Sequence, residues 1–259
     1  MMHILLLAGT PCNRKDDCMK KLLSAVLALT AFLSVPQIHT AAIGYGQGTE
    51  RDSMNRPTGA VAFQDEFSQS GAYALTSEPD RIILTFDQGY ENGYTAKILD
   101  TLKEKQVSAI FFLTGDYAKR EPELVQRMID EGHMLGNHGM THAALPELSD
   151  DEIETEIMSL HAYVLEHFGY EMQYFRPPCG EYDARALAKV QSLGYKTLFW
   201  SAAYVDWNTD AQPDPDAAIK QLSQAAHGGA VYLLHSVSAT NAQILGSLID
   251  AFRADGYTV

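Results

Sequence analysis

The chain has 259 residues, 46% of them hydrophobic, enough for a sizeable core in one large domain or two small ones. Lys and Arg total 19 against 33 Asp and Glu, a formal net charge of −14. That balance argues against nucleic acid, which needs a basic footprint, and against electrostatic docking on anionic lipid; no protein partner can be inferred from it.

Met19-Lys20-Lys21 opens an apolar run, LLSAVLALTAFLSV at residues 22–35, followed by small residues at Thr40, Ala41 and Ala42. This is the layout of a signal peptide with a cleavage site near Ala42, and it predicts export. The run is shorter than the roughly 20 residues that span a bilayer comfortably; an uncleaved membrane anchor is the alternative. Residues 1–42 are read as a leader, with Met19 the expected true start. Cys12 and Cys18 fall inside it, so Cys179 alone remains in the mature chain and no intramolecular disulfide is expected. Residues 43–80 carry Gly44, Gly46, Gly48 and Pro57 with little periodicity. They read as a linker or a loosely packed extension with one short helix at most.

From Arg81 the pattern is regular. Apolar runs at Ile82–Phe86, Ser108–Thr114, Met134–Leu135, Tyr174–Phe175, Thr197–Trp200 and Ala230–Leu234 predict strands. Between and after them, helical periodicity covers Thr95–Lys105, Pro122–Glu131, Asp150–Phe168, Asp183–Leu193, Pro215–Ala226 and Asn241–Ala254. Ser149 and Glu152 have capping-box spacing, and Gly132, Gly169, Gly194 and Gly256 stand where helices should stop. Such alternation implies an α/β fold of parallel strands with helical crossovers over residues 81–259, as a barrel or an open doubly wound sheet. No G-x-G-x-x-G or Walker loop follows the first strand.

Polar and titratable residues gather at the carboxyl ends of these strands, where parallel architectures build their sites. Asp87 ends the first and His235 the last. Arg176 follows Tyr174-Phe175, and Asp206-Trp207 follow the Phe199-Trp200 run. His138 and His142 follow Leu135 with the i, i+4 spacing that lets two imidazoles share a metal, a spacing that also arises by chance among nine histidines. Asp87 and His235 can supply the base and acid that amide hydrolysis needs, if both face one pocket. Arg176 precedes Pro177, which biases it to extended backbone, and an arginine there can hold an acid ionised. Trp207 is either a pocket wall or ordinary core.

Together TFDQGYENG (85–93), NHGMTH (137–142), RPPCG (176–180), VDW (205–207) and LLH (233–235) stand in the order and spacing of a known family. The chain resembles the polysaccharide deacetylases with a NodB homology domain, carbohydrate esterase family 4, and within them the muramic-acid de-N-acetylases of peptidoglycan. The resemblance implies a distorted, incomplete (β/α) barrel that removes acetyl groups from sugars with a divalent metal, zinc or another transition ion. It implies Asp87 as catalytic base, His235 as catalytic acid, Arg176 as the residue positioning the base and Asp206 as the one tuning the acid. His138 and His142 become metal ligands, and Trp207, Leu233 and Tyr90 substrate contacts. The family's first motif has a second, metal-binding Asp where this chain has Gln88, so a metal held with a weakened third ligand is expected. The implied partner is the glycan strand of peptidoglycan, met outside the cytoplasm, with a role in forming the muramic δ-lactam of spore cortex. Polymers of N-acetylglucosamine are the second substrate reading, and a metal-poor, non-catalytic wall-binding module the third.

Overall fold

The apolar run that begins at Ile82 becomes the central strand of the sheet. In the computed structural model, which describes residues 42–259, the elements in chain order are β1 (Ile43–Gly44), α1 (Thr58–Phe67), β2 (Ala72–Tyr73), β3 (Ile82–Gln88), α2 (Thr95–Lys105), β4 (Ile110–Leu113), α3 (Gly115–Arg120), α4 (Pro122–Asp130), β5 (Met134–Asn137), α5 (Asp150–Phe168), β6 (Tyr174–Phe175), β7 (Glu181–Tyr182), α6 (Ala184–Ser192), β8 (Lys196–Leu198), β9 (Ala202–Ala203), α7 (Pro215–Gln224), β10 (Ala230–His235) and α8 (Ala239–Ala254). Eight strands form one sheet in the order β2-β8-β6-β5-β4-β3-β10-β9, and every pairing within it is parallel. Its edges, β2 and β9, are not bonded to each other, so the curled sheet is an incomplete (β/α) barrel.

Side chains alternate across the strands and so divide the core in two. On the outer face Leu84, Phe86, Phe111 and Leu135 pack against helix residues such as Ile98, Leu102, Ile157, Leu160, Leu248 and Phe252. On the inner face Ile110, Phe112, Leu198 and Val231 pack with Tyr73, Ile83 and Tyr174. Parallel pairing places every strand's carboxyl end on one rim. The helix limits follow local chemistry. Ser149 accepts from the Glu152 amide while the Glu152 carboxylate accepts from the Ser149 amide, the reciprocal cap that starts α5. Gly132, Gly169, Gly194 and Gly256 all take left-handed backbone angles just past their helices.

The leader expected over residues 1–42 lies, up to residue 41, outside the described residues. No helix among the described residues is long and apolar enough to cross a membrane. The expectation of a linker or loose extension over 43–80 is corrected. β2 extends the sheet beside β8, and Gln64 of α1 accepts from the amides of Ala74 (3.1 Å) and Leu75 (2.9 Å). Phe63, buried, meets Tyr45, Phe67, Tyr182 and Phe199 with ring centroids 4.7–5.3 Å apart. Of the glycines that suggested looseness, Gly44 lies in β1 and Gly48 takes a left-handed backbone angle, while the apolar residues that pack are too irregularly spaced to show a period. Phe63→Ala is therefore expected to cost about 3–5 kcal/mol in denaturant unfolding, the range for a buried aromatic; a loss below about 1 kcal/mol would mean the segment is only loosely attached.

Candidate active site

Parallel pairing of β3 and β10, running from Ala230↔Ile82 to His235↔Asp87, sets an imidazole and a carboxylate side by side on the rim. Alternation along β3 gives Thr85 and Asp87 the phase of Ile83, on the inner face. Asp87 is buried there beside Arg176, whose side chain is wholly buried.

Arg176 spends four of its five side-chain N–H donors on fixed acceptors. Nη1 donates to Asp87 Oδ1 and Thr85 Oγ1, both at 2.8 Å, Nε to the Leu198 carbonyl at 2.9 Å and Nη2 to the Phe199 carbonyl at 3.1 Å. Thr85 in turn donates to the Tyr232 carbonyl at 2.6 Å, and the guanidinium lies 4.1 Å above the Phe112 ring. Burial by itself pushes the Asp87 carboxyl up. The Arg176 guanidinium, with His138 and His235, outweighs it and holds the group below the usual carboxylate range.

His138 Nδ1 lies 2.8 Å from the Arg176 carbonyl, so it carries the proton, and the Nε2 lone pair faces Asp87 Oδ2 at 3.5 Å. Burial, only partly opposed by Asp87, lowers the His138 pKa to about 4, so the ring is neutral near pH 7. Two acceptors then face each other with no donor between them, an arrangement a cation relieves. The His142 ring lies 4.8 Å from that of His138, centroid to centroid, and burial lowers its pKa too. Neutral imidazoles are the ligating form, so the pair fits a divalent transition ion. Among the described residues no group of three or more His, Cys, Asp or Glu converges as a complete cage.

Gln88 does not join the imidazoles, contrary to the expectation that it stands as a weakened third ligand. One residue beyond Asp87, it takes the phase of Leu84 and Phe86, toward the helices. It is fully buried, its Nε2 donates to Ser236 Oγ, and its Oε1 has no partner.

On the other side, His235 Nδ1 donates to Asp206 Oδ1 at 2.7 Å. Asp206 Oδ2 accepts from the His235 amide (2.8 Å) and Asn241 Nδ2 (2.5 Å), and Asn241 Oδ1 accepts from the Tyr204 hydroxyl. Burial alone would lower the His235 pKa. The hydrogen bond and charge of Asp206, with Asp87 behind it, raise it above the ordinary histidine value. One pocket thus holds a carboxylate whose pKa is lowered and an imidazole whose pKa is raised, the directions that a base and an acid of hydrolysis require.

The cavity above these groups measures about 460 Å³ and is lined by Asp87, His138, His142, Leu233, His235 and Trp207, closed by Pro177, Cys179, Gly180 and Trp200. Trp207 is 52% exposed with its ring edge-on to His235, and Tyr90, 51% exposed, borders an adjoining recess with Gly89 and Val237. Trp200 is set from outside: its Nε1 donates to Gln47 at 2.9 Å and its carbonyl accepts from Tyr45 at 2.5 Å. At Gly180, whose φ is +68°, a Cβ would stand 2.7 Å from the Trp200 ring, so only glycine fits. Sequence reasoning missed Thr85, Trp200, Tyr204 and Asn241. The two-residue step from Asp87 back to Thr85 was the one available signal.

The family profile for polysaccharide deacetylases matches residues 74–198. The chain is also 42% identical over 187 residues to the peptidoglycan-N-acetylmuramic acid deacetylase PdaA of Bacillus subtilis, covering 72% of this chain and 71% of that protein. The chain belongs to the polysaccharide deacetylase family. The structure of B. subtilis PdaA, a family 4 carbohydrate esterase, matches with a TM-score of 0.79 at 38% identity, over 84% of this chain and 94% of that one. A peptidoglycan-N-acetylglucosamine deacetylase of Bacillus cereus is 32% identical over 174 residues, 66% of this chain and 62% of that protein. A family 4 pseudoenzyme from Bacillus anthracis matches with a TM-score of 0.68 at 25% identity, over 73% of this chain and 66% of that one. The fold therefore occurs in relatives with and without activity, and the decision rests on the side chains in the cavity.

Removing the Asp206 charge should lower the His235 pKa, because Asp206 is what overcomes burial. In Asp206→Asn, an NMR titration of the His235 ring is expected to move to lower pH; an unmoved titration would mean that Asp206 only shapes the loop.

Proposed function

We propose that the protein is an exported, metal-assisted peptidoglycan deacetylase that removes the N-acetyl group of N-acetylmuramic acid. The observation that carries this reading is the pairing in one cavity, on adjacent strand ends, of Asp87 bound to the Arg176 guanidinium with His235 bound to the Asp206 carboxylate. A glycan-binding module needs neither. The choice of muramic acid is supported by the 42% identity to the B. subtilis muramic acid deacetylase; the lower identity to a glucosamine deacetylase keeps the second sugar as the alternative. On the motif resemblance to the muramic-acid branch, the product is proposed to feed δ-lactam formation in the spore cortex.

In this mechanism Asp87 accepts a proton from water as the water attacks the acetamide carbon. Arg176 keeps that carboxylate ionised and aims it, since Oδ1 is tied down and Oδ2 faces the cavity. His235 delivers its proton to the nitrogen of the departing sugar amine, and Asp206 holds that proton on the imidazole until it is needed. His138 and His142 would hold a divalent ion, which would supply Lewis acidity at the acetyl group when bound. With two imidazoles and no third ligand converging on them among the described residues, the site is expected to hold that ion weakly. The exposed faces of Trp207 and Tyr90 offer stacking surface for sugar rings, with Leu233 at the cavity wall.

Acetate release from purified peptidoglycan, with analysis of which sugar gains a free amine, tests the reading. Asp87→Asn and His235→Ala should each lower kcat by about 10²–10⁴, chelator should suppress release and restored zinc or cobalt recover it, and the new amines should lie on muramic acid. Amines on glucosamine would shift the substrate, and glycan binding without turnover under any added metal would leave a binding module.

A further inference from the structure

The loop from His138 to His142 carries both imidazoles yet belongs to no helix or strand, and its conformation is strained at its functional end. His142 has a φ of +63°, in the left-handed region that residues with a side chain rarely occupy. Such an outlier persists only where its surroundings impose it. What surrounds it is Glu156, a buried residue of α5. Glu156 Oε1 accepts from the Thr141 amide at 2.7 Å and the Ala143 amide at 3.3 Å, the two amides that flank His142, and Oε2 accepts from Thr141 Oγ1 at 2.9 Å. The Glu156 carbonyl takes the Met140 amide at 3.0 Å. Gly139, with φ +88°, leaves the room this requires: a Cβ there would stand 2.6 Å from Glu156 Oε1.

We propose that Glu156 is a positioning residue, whose buried carboxylate bridges the amides on either side of His142 and so turns the second imidazole toward the first. The proposal rests on the reading of His138 and His142 as the ion-holding pair. It also assigns the loop a carboxylate that no spacing rule picks out, since Glu156 lies 14 residues after His142 in sequence and reaches it from a different element.

Glutamine at 156 separates geometry from charge, because it keeps an acceptor for both amides and can donate to Thr141 Oγ1. The test uses Glu156→Ala, Glu156→Gln and Thr141→Val, with zinc titration of the metal-free protein, amide hydrogen exchange at residues 141 and 143, and kcat and KM for acetate release. In Glu156→Ala both amides should exchange faster, and zinc affinity and kcat should each fall by about 10–100-fold with KM nearly unchanged. Glu156→Gln should restore all three toward wild type. Thr141→Val, which loses one bond only, should fall between and serves as the decisive variant if the alanine protein does not fold. A folded Glu156→Ala, or Thr141→Val in its place, with wild-type zinc affinity and kcat overturns the proposal, as does a glutamine that rescues neither. If the wild-type protein binds no zinc, the metal reading fails, and the kcat and exchange of the alanine and glutamine variants decide the clamp by themselves.

Discussion

A fully buried guanidinium has to find an acceptor for nearly every donor it carries, and Arg176 meets that demand by drawing three strands together. Its partners are Asp87 and Thr85 on β3 and the carbonyls of Leu198 and Phe199 at the end of β8, while its own amide and carbonyl bind Asn137 and His138 beside β5. None of these groups can move far without leaving a buried charge unpaired. The rim of the sheet is therefore stiff at the place where the chemistry requires stiffness. The same charge settles the ionisation of Asp87 against its burial, and the same backbone carbonyl fixes which nitrogen of His138 carries the proton.

The acid side is built on a second buried carboxylate with a different task. Asp206 gives both oxygens to the His235–Asn241 surroundings and none to the cavity. Parallel register then places the imidazole it supports next to the carboxylate that Arg176 supports. In the proposed mechanism two acids about one pocket thus differ in role because their nearest partners differ: a guanidinium makes one the free base, and an imidazole makes the other a support. Gln88 sits outside this division. The change from carboxylate to amide at that position falls on a side chain turned toward Ser236, next in sequence to His235, and leaves Asp87 and its neighbours as they are.

The alternation of apolar runs and helical periods made the parallel sheet legible, since crossover connections leave few other arrangements. The reactive residues at the strand ends were legible for the same reason. What escaped was whatever depends on contacts distant in sequence. Phe63 and Gln64 looked like part of a linker because their partners, Phe199, Tyr182 and the Ala74–Leu75 amides, are defined only by the fold. Gln88 was misread because adjacency to Asp87 suggested a shared site, whereas a strand sends consecutive side chains to opposite faces. Tyr204 and Asn241 support the acid through a chain of hydrogen bonds, and nothing in their spacing marks them. Glu156 reads on a helical wheel as one more polar residue.

The central claim is that base and acid coexist in their working protonation states. The direct measurement is an NMR titration of the Asp87 carboxyl carbon and the His235 ring in the same wild-type sample, read just above the ordinary histidine pKa of about 6.5. The account predicts Asp87 ionised and His235 still mostly protonated there. A neutral imidazole at that pH, or a protonated Asp87, would contradict it.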